Sequence, residues 1–293
     1  MTDSLPGYPE RRELLLADKP LLDQLFREQQ PRISELTFAG LYLFRMAHRY
    51  RVSRLGDAVV ITGNGYDGAP YFLPPLGGDR REAARRLLTD GWELYGGDEE
   101  VALLAGEPNL VIREERNSFD YLYRKSDLAE LPGNRYHKKR NRIAYFTNRH
   151  DCSMEEYRES HRSGALLLLD RWLGVHDRLG NGSLGAEALA TAEGLALSQR
   201  LGLEGVVLLV GGEIRGFTLG ERLNGTTALC HFQKADPFLD GIYQLLDREF
   251  NRRLFTDCAF VNREQDLGEP NLRKSKLSYH PVELVKKFRI RSR

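Results

Sequence analysis

Asn262, Glu264 and Asp266 stand at alternate positions in the stretch FVNREQDLGEPNLRKSKLSYHP, Phe260 to Pro281, just after an apolar run. Alternate side chains of an extended chain point to one side, so the three are expected to share a face at the end of a strand. Arg273 and Lys276 lie three apart, which places two side chains on one face of a helix. Such a gathering of carboxylates, an amide and cations suits acyl transfer. The acceptor must lose a proton, the developing oxyanion needs donors, and the leaving oxygen needs an acid or a cation. Asp266, or Glu249 upstream, is the candidate base or cation-orienting group. Lys276 is placed to serve the donor's phosphate or the oxyanion, and Arg273 suits bidentate binding of phosphate or carboxylate. Each has a plainer use. Asp266 before Leu-Gly can cap the next helix, Arg273 and Lys274 can be solvated, Glu249 can sit at a surface boundary, and Tyr279 can simply pack. His231 and Gln233 alternate on a strand, so one faces out of the core, and a hydrogen-bonded structural histidine is the favoured reading of His231.

Positive charge is concentrated in two places. RYHKKRNR, Arg135 to Arg142, holds five Lys/Arg in eight residues, and the tail from Asn271 holds eight against the single acid Glu283. Runs of this kind are most often solvated faces, but two of them at equivalent places can line one phosphate-binding surface. The chain as a whole carries a net charge of only +1, so any nucleic-acid binding must come from such local patches.

The 293 residues are 41% hydrophobic and 29% charged, ordinary for a globular protein with a real core. The cysteines, Cys152, Cys230 and Cys258, are three in number and form no CxxC pair, which fits reduced thiols and no disulfide framework. No His/Cys/Asp/Glu spacing supports a metal site. The N-terminus MTDSLPGYPERRE has no apolar core of a secretory signal. The runs ALLLL at Ala165 and VVLLV at Val206 are far short of the roughly 20 residues that span a bilayer. A cytoplasmic protein is expected, with contact at a membrane surface left open.

The elements that must position these residues fall into two similar series. Asp18 and Pro20 open a helix with Leu21, Leu22, Leu25 and Phe26 on one face. DAVVITGNGYDGAPYFLPPL reads as strand, Asn-Gly turn, strand, and DRREAARRLLTDGWELYG as a helix with Ala84, Leu87 and Leu88 inward. NSFDYLYR closes the first half as a strand. In the second half, SMEEYRE shows Ser153 and Glu156 at capping-box spacing, the signature of a helix start. GAEALATAEGLALSQRLG is a helix closed by Gly202. GVVLLVGGEIRGFTLGERLNGTTALCHF reads as three strands, GIYQLLDREFNRRLF as an amphipathic helix, DCAFVN as a strand, and ELVKKFRI as a final strand. DLAELPGNRYHKKR from Asp127 is echoed by DLGEPNLRKSK from Asp266, a period of about half the chain that points to duplication.

Four blocks carry a family resemblance: ELTFAGLYLFR from Glu35, LPGNRYHKKRNRIAYF from Leu131, HFQKADPFLDGIYQLLDREF from His231, and NREQDLGEPNLRKSKLSYHP from Asn262. Together they resemble soluble relatives of the phosphatidylglycerol lysyltransferase C-terminal domain, over roughly residue 30 to the end, and in architecture the Fem peptidoglycan aminoacyltransferases. The resemblance implies an α/β (α+β) protein of two tandem GNAT-like acyltransferase folds, each a mixed sheet flanked by helices. The expected division is an N-terminal helical segment 1–29, a first fold 30–148, and a second fold 149–293 that carries the active site. The activity so implied is transfer of an aminoacyl group from charged tRNA to a lipid, peptide or small-molecule acceptor, with no cofactor besides the donor. The family's Lys-x-Lys-aromatic segment is met by Lys274-Ser275-Lys276-Leu277, with leucine in the aromatic's place. On this resemblance Lys276, Asp266 and Arg273 are the candidate catalytic residues. Asn262, Glu264, Tyr279, His231, Lys138, Lys139 and Arg140 are the candidate substrate contacts. Two rivals stand beside it: an acyl-CoA N-acyltransferase and a binding module without turnover. CoA-dependent GNAT enzymes present a glycine-rich loop before a helix, whose amides grip the pyrophosphate. The corresponding stretch here, QKADPFLDGIYQ, has one glycine, and Gly77-Gly78 before the helix of the first half is a weak substitute.

Overall fold

The computed structural model describes residues 5–176 and 182–293, so the first four residues of the N-terminal stretch lie outside it. The chain forms two compact α/β units. The first comprises residues 1–120, 265–273 and 284–293, and the second residues 121–264 and 274–283. This interleaved partition differs from the linear 30–148 and 149–293 division expected above. Strand pairing is decided by contacts remote in sequence, which a linear reading does not contain.

The first unit begins with β1 (Arg12–Glu13), α1 (Lys19–Gln29), α2 (Phe38–Leu43), α3 (Arg45–His48), β2 (Arg51–Leu55), β3 (Ala58–Asn64), β4 (Pro70–Phe72), α4 (Arg80–Thr89), β5 (Glu93–Gly96), α5 (Asp98–Leu103) and β6 (Leu110–Glu114). The chain then passes through β7 (Asp120–Arg124), α6 (Lys125–Glu130), α7 (His137–Thr147), β8 (Cys152–Glu156), α8 (Arg162–His176), α9 (Gly182–Leu201), β9 (Glu204–Val210), β10 (Glu213–Asn224), β11 (Thr227–Ala235), α10 (Ile242–Arg253), β12 (Phe260–Asn262), α11 (Pro270–Leu277), β13 (Glu283–Val285) and β14 (Phe288–Ser292). The first sheet runs β1-β2-β3-β4-β5-β14-β6 and the second β13-β7-β12-β11-β10-β9-β8. Each is mixed: β4 pairs with β5 in parallel, β11 with β12 in parallel, and the neighbouring pairs run antiparallel.

Asp18 is the N-cap of α1, but its carboxylate is held by Arg12 and the Leu15 amide rather than by the helix. Ala84, Leu87 and Leu88 of α4 lie inward as expected, packed with Val60, Phe72 and Ile290. Three sequence expectations are corrected. SMEEYRE does not start a helix: Cys152–Glu156 is β8, antiparallel to the buried β9, and its pairing overrides a local capping signal. ELVKKFRI is two strands broken at Lys286-Lys287, and the second, β14, lies between β5 and β6 of the first sheet. Asn262, Glu264 and Asp266 do not alternate along one strand. β12 stops at Asn262, and Glu264 (φ +54°) and Leu267 (φ +52°) take left-handed backbone, so the chain coils instead of extending.

In the second unit α10 lies close on its sheet through glycines of β10. A Cβ at Gly216 would stand 2.6 Å from the Leu246 side chain, and one at Gly220 would stand 2.8 Å from the Phe250 ring. In the first unit β14 brings Lys287 into the interior. Its ammonium bonds Asp120 (2.7 Å), Glu35 (2.8 Å) and Ser34 (3.2 Å). The Lys287 and Asp120 side chains are both 0% exposed.

Removing one partner of a buried pair strands the other charge, at a cost of about 3–5 kcal/mol. Lys287→Met should therefore lower the unfolding free energy by about that amount, whereas Lys286→Ala, at the neighbouring exposed position, should leave the denaturation midpoint unchanged. Chemical denaturation followed by circular dichroism measures both.

Candidate functional site

The polar residues beyond β12 fall into two groups. In the first unit Asp266 is fully buried and clamped by Arg273, which donates Nε–H to Oδ2 and Nη2–H to Oδ1, each at 2.8 Å. Arg116 adds a contact at 3.4 Å, and the Gly268 amide donates to Oδ1 at 2.8 Å. The Gly268 contact closes an Asx turn, so Asp266 organises the approach to α11. With both carboxylate oxygens engaged, Asp266 would have to release Arg273 before accepting an acceptor's proton.

In the second unit the residues converge more closely. His231 on β11 donates Nδ1–H to Glu264 Oε1 at 2.8 Å and Nε2–H to Glu221 Oε1 at 2.7 Å. Burial alone would lower its pKa, but its hydrogen bonds to the two carboxylates and their negative charge push it up to about 10. A ring that donates from both nitrogens is an imidazolium, so His231 is not a general base near neutral pH. It is the hydrogen-bonded histidine that the strand pattern favours. Asn262 Oδ1 accepts from the Glu264 amide at 2.7 Å, which pins the left-handed turn.

The turn leaves the carbonyls of Arg263 and Glu264 facing α11, and the Lys276 ammonium occupies that place. It donates to Arg263 O and to Glu264 O (3.1 Å) and lies 5.7 Å from the centre of the Tyr121 ring. Arg263 bonds Asp247 of α10 at 3.0 Å and Gln233 at 3.2 Å, and its guanidinium lies over the Tyr279 ring at 5.1 Å. Lys139 of α7 lies 3.7 Å from the centre of the same ring and bonds Ser278 Oγ at 2.7 Å. Burial lowers the Lys139 ammonium to about 8. Arg140 instead caps a loop by donating to Leu131 O and Gly133 O (2.7 Å), and Lys138 is exposed. Glu249 is buried and its carboxylate pairs with Arg248 at 3.0 Å and Arg253 at 3.1 Å. The structure thus links His231, Glu264, Asn262, Lys276, Tyr279 and Lys139 through the second unit, and sets Lys138 and Arg140 apart from that network. Sequence reasoning passed over Glu221, Asp247 and Arg263. Arg263 lies between Asn262 and Glu264, and its importance shows only once the turn aims it at α10. No group of three or more metal-ligating side chains is assembled among the described residues.

The family model for the phosphatidylglycerol lysyltransferase C-terminal domain matches residues 26–291. This chain belongs to that family, and it is an acyltransferase-fold protein with two tandem GNAT-like units. It is similar to a conserved protein of unknown function from Bacteroides thetaiotaomicron, at 29% identity and a TM-score of 0.89, covering 97% of this chain and 99% of that one. It also resembles the C-terminal domain of a putative lysylphosphatidylglycerol synthetase from Agrobacterium fabrum (14% identity, TM-score 0.65, covering 94% and 92%). L-PGS from Bacillus licheniformis is similar at 14% identity and a TM-score of 0.62, covering 99% and 94%. No curated protein matches the chain. No helix among the described residues is long and apolar enough to cross a membrane.

The raised pKa of His231 gives a pH dependence of known sign. The folded state holds the proton above its unfolded value of about 6.5, so this contribution is complete below that pH and is lost as pH rises through about 10. His231→Gln should melt lower than wild type at pH 6, and the difference should shrink steadily towards pH 10 in a thermal-melt series.

Proposed function

We propose that the chain transfers an aminoacyl group from charged tRNA to a hydroxyl or amine acceptor, with Lys276 and Lys139 as the chemical groups of the second unit. The observation that carries this reading is the closed N-terminus of α10. In a CoA-dependent acyltransferase that helix end must be open to receive a pyrophosphate on its amides. Here Gly241, the N-cap of α10 at φ +98°, is packed on α7: a Cβ added there would stand 2.2 Å from Arg142 O and 3.0 Å from Phe146 Cβ. The backbone of α7 thus lies directly against the glycine that opens α10. The relatives named as lysyltransferase and lysylphosphatidylglycerol synthetase support an aminoacyl donor.

In this reading Lys276 is preorganised by two carbonyls and stabilises the oxyanion of the tetrahedral intermediate. Lys139, with its ammonium brought to about 8, donates a proton to the leaving ribose oxygen, and the neutral amine so formed takes the proton that the attacking hydroxyl or amine gives up, which restores the ammonium. Lys138 and Arg142, both exposed on α7, supply positive charge for the phosphate backbone. His231, Glu221, Glu264 and Asn262 hold the turn that aims the Arg263 and Glu264 carbonyls at Lys276. Asp266 and Arg273 support the start of α11.

Three measurements test this. Loss of one preorganised donor costs on the order of a hundredfold in rate, so Lys276→Ala should lose that much aminoacyl transfer while keeping a wild-type circular dichroism spectrum. A folded variant with full activity would sink the assignment. Filter binding should show charged tRNA affinity falling steeply with salt and weakening in Lys138→Ala. Tight binding of acetyl-CoA with no tRNA binding at low salt would favour the acyl-CoA enzyme instead. If Lys139 is the acid, transfer should decline as pH rises through about 8. Lys139→Arg, whose guanidinium keeps its proton throughout this range, should lose most of the transfer and the pH-dependent decline with it.

A further inference from the structure

The first unit contains a cavity of about 350 Å³ lined by Arg11, Arg49, Arg51, Thr62, Asn64 and Trp92, together with Pro9 and Gly63. None of the candidate catalytic or substrate-contact residues named from the sequence lines it. Three guanidinium groups line it and no carboxylate among the described residues does, in a chain whose 43 basic and 42 acidic residues nearly balance. We infer that this cavity binds a phosphate ester through Arg11, Arg49 and Arg51, with Trp92 forming part of its wall.

The placement of the arginines follows from the fold. Arg49 is the left-handed C-cap of α3 (φ +50°), Arg51 opens β2, and Arg11 precedes β1, the neighbour of β2 in the sheet. Arg11 donates to Thr62 Oγ1 at 3.2 Å and its guanidinium lies 4.7 Å from the centre of the Trp92 ring. The aromatic face and the threonine thus fix one fork in place. Arg51 is only loosely tied, to Glu13 at 3.3 Å, with side chains 46% and 71% exposed. Such an exposed pair contributes little and exchanges readily for a better anion. Among the described residues Arg49 makes no ion pair or side-chain hydrogen bond, whereas many other arginines of this unit are paired with carboxylates, among them Arg12 with Asp18, Arg80 with Glu100, Arg81 with Glu107 and Arg289 with Glu93. Among the described residues only Arg51 of the three meets a carboxylate, and the planar fork matches phosphate oxygens bidentately. The volume lies in the range of small-ligand sites, so the phosphate has room for an organic substituent.

Trp92 also supplies the probe, because the chain has only two tryptophans. In full-length Trp172→Phe protein, the emission of Trp92 should respond saturably to inorganic pyrophosphate or to glycerol 3-phosphate. Calorimetry on the unmodified chain should give the same Kd. Arg49→Ala should weaken binding roughly tenfold, the worth of one charge-assisted contact, and Arg49→Lys, which keeps the charge and loses the fork, should also weaken it. Arg171→Ala, an exposed position in the other unit, should change nothing. Vesicles of phosphatidylcholine with and without phosphatidic acid distinguish the source of the ester. A response only to the phosphatidic acid vesicles makes the ligand a lipid headgroup, and a response to the soluble esters makes it a small metabolite. Silence to both, or equal weakening by Arg171→Ala and Arg49→Ala, would overturn the inference.

Discussion

The first unit depends on one buried cation. Lys287 sits at 0% exposure between two carboxylates that are themselves largely out of water, Asp120 and Glu35. Dehydrating a charge costs several kcal/mol and is recovered only if each proton finds a good acceptor. Lys287 meets that condition with Asp120, Glu35 and Ser34. The acceptors come from the segment after α1 and from the start of β7, while the lysine comes from the last strand. Burial and the neighbouring Asp120 raise the pKa of the Glu35 carboxyl, and the lysine's charge works against that rise. The β5-β14-β6 order of the sheet brings the lysine to its partners, and the pair in turn penalises any other position for β14.

The second unit uses the same device with the arrangement inverted. A single imidazolium, His231, holds two carboxylates, Glu221 and Glu264, that would otherwise repel. Glu264 is thereby fixed in left-handed backbone, which ends β12 and aims two carbonyls at Lys276. A strand that stopped in an ordinary turn would not present them. Backbone carbonyl dipoles thus help to position the charge on Lys276.

Much of the positive charge that looks excessive in the sequence is spent inside the protein. Of the basic tail, Arg273 clamps Asp266, Lys276 binds carbonyls, Lys286 pairs with Glu114, Lys287 is buried, and Arg289 meets Glu93 and two tyrosine rings. Of the RYHKKRNR run, Arg135 pairs with Asp127 and Arg140 caps carbonyls. A contact with a polyanion has fewer cations to draw on than the sequence count gives. Lys138 and Arg142 of α7 remain exposed, and Arg11, Arg49 and Arg51 line the cavity of the first unit.

Local chemistry is written in the sequence. The Gly-Gly and Asn-Gly turns that separate β9, β10 and β11, the amphipathic faces of α4 and α10, and the four blocks that mark the family all follow from residue types and short spacings. Hydrophobic period and turn residues act over a few positions, so they can be read without knowing the fold. Tertiary structure decided everything that depends on distant partners. Ser153 and Glu156 have the spacing of a helix cap, yet pairing with β9 makes them strand. Phe288 and Ile290 alternate as any strand would, and only packing between β5 and β6 assigns them to the first sheet. His231 gained its charge from carboxylates ten residues before it and thirty-three after it. The arginines of the cavity lie at unremarkable intervals and meet only because β1 and β2 are neighbours. A pKa and a cavity are properties of assembled neighbours, and a linear chain does not specify neighbours until its long-range contacts have formed.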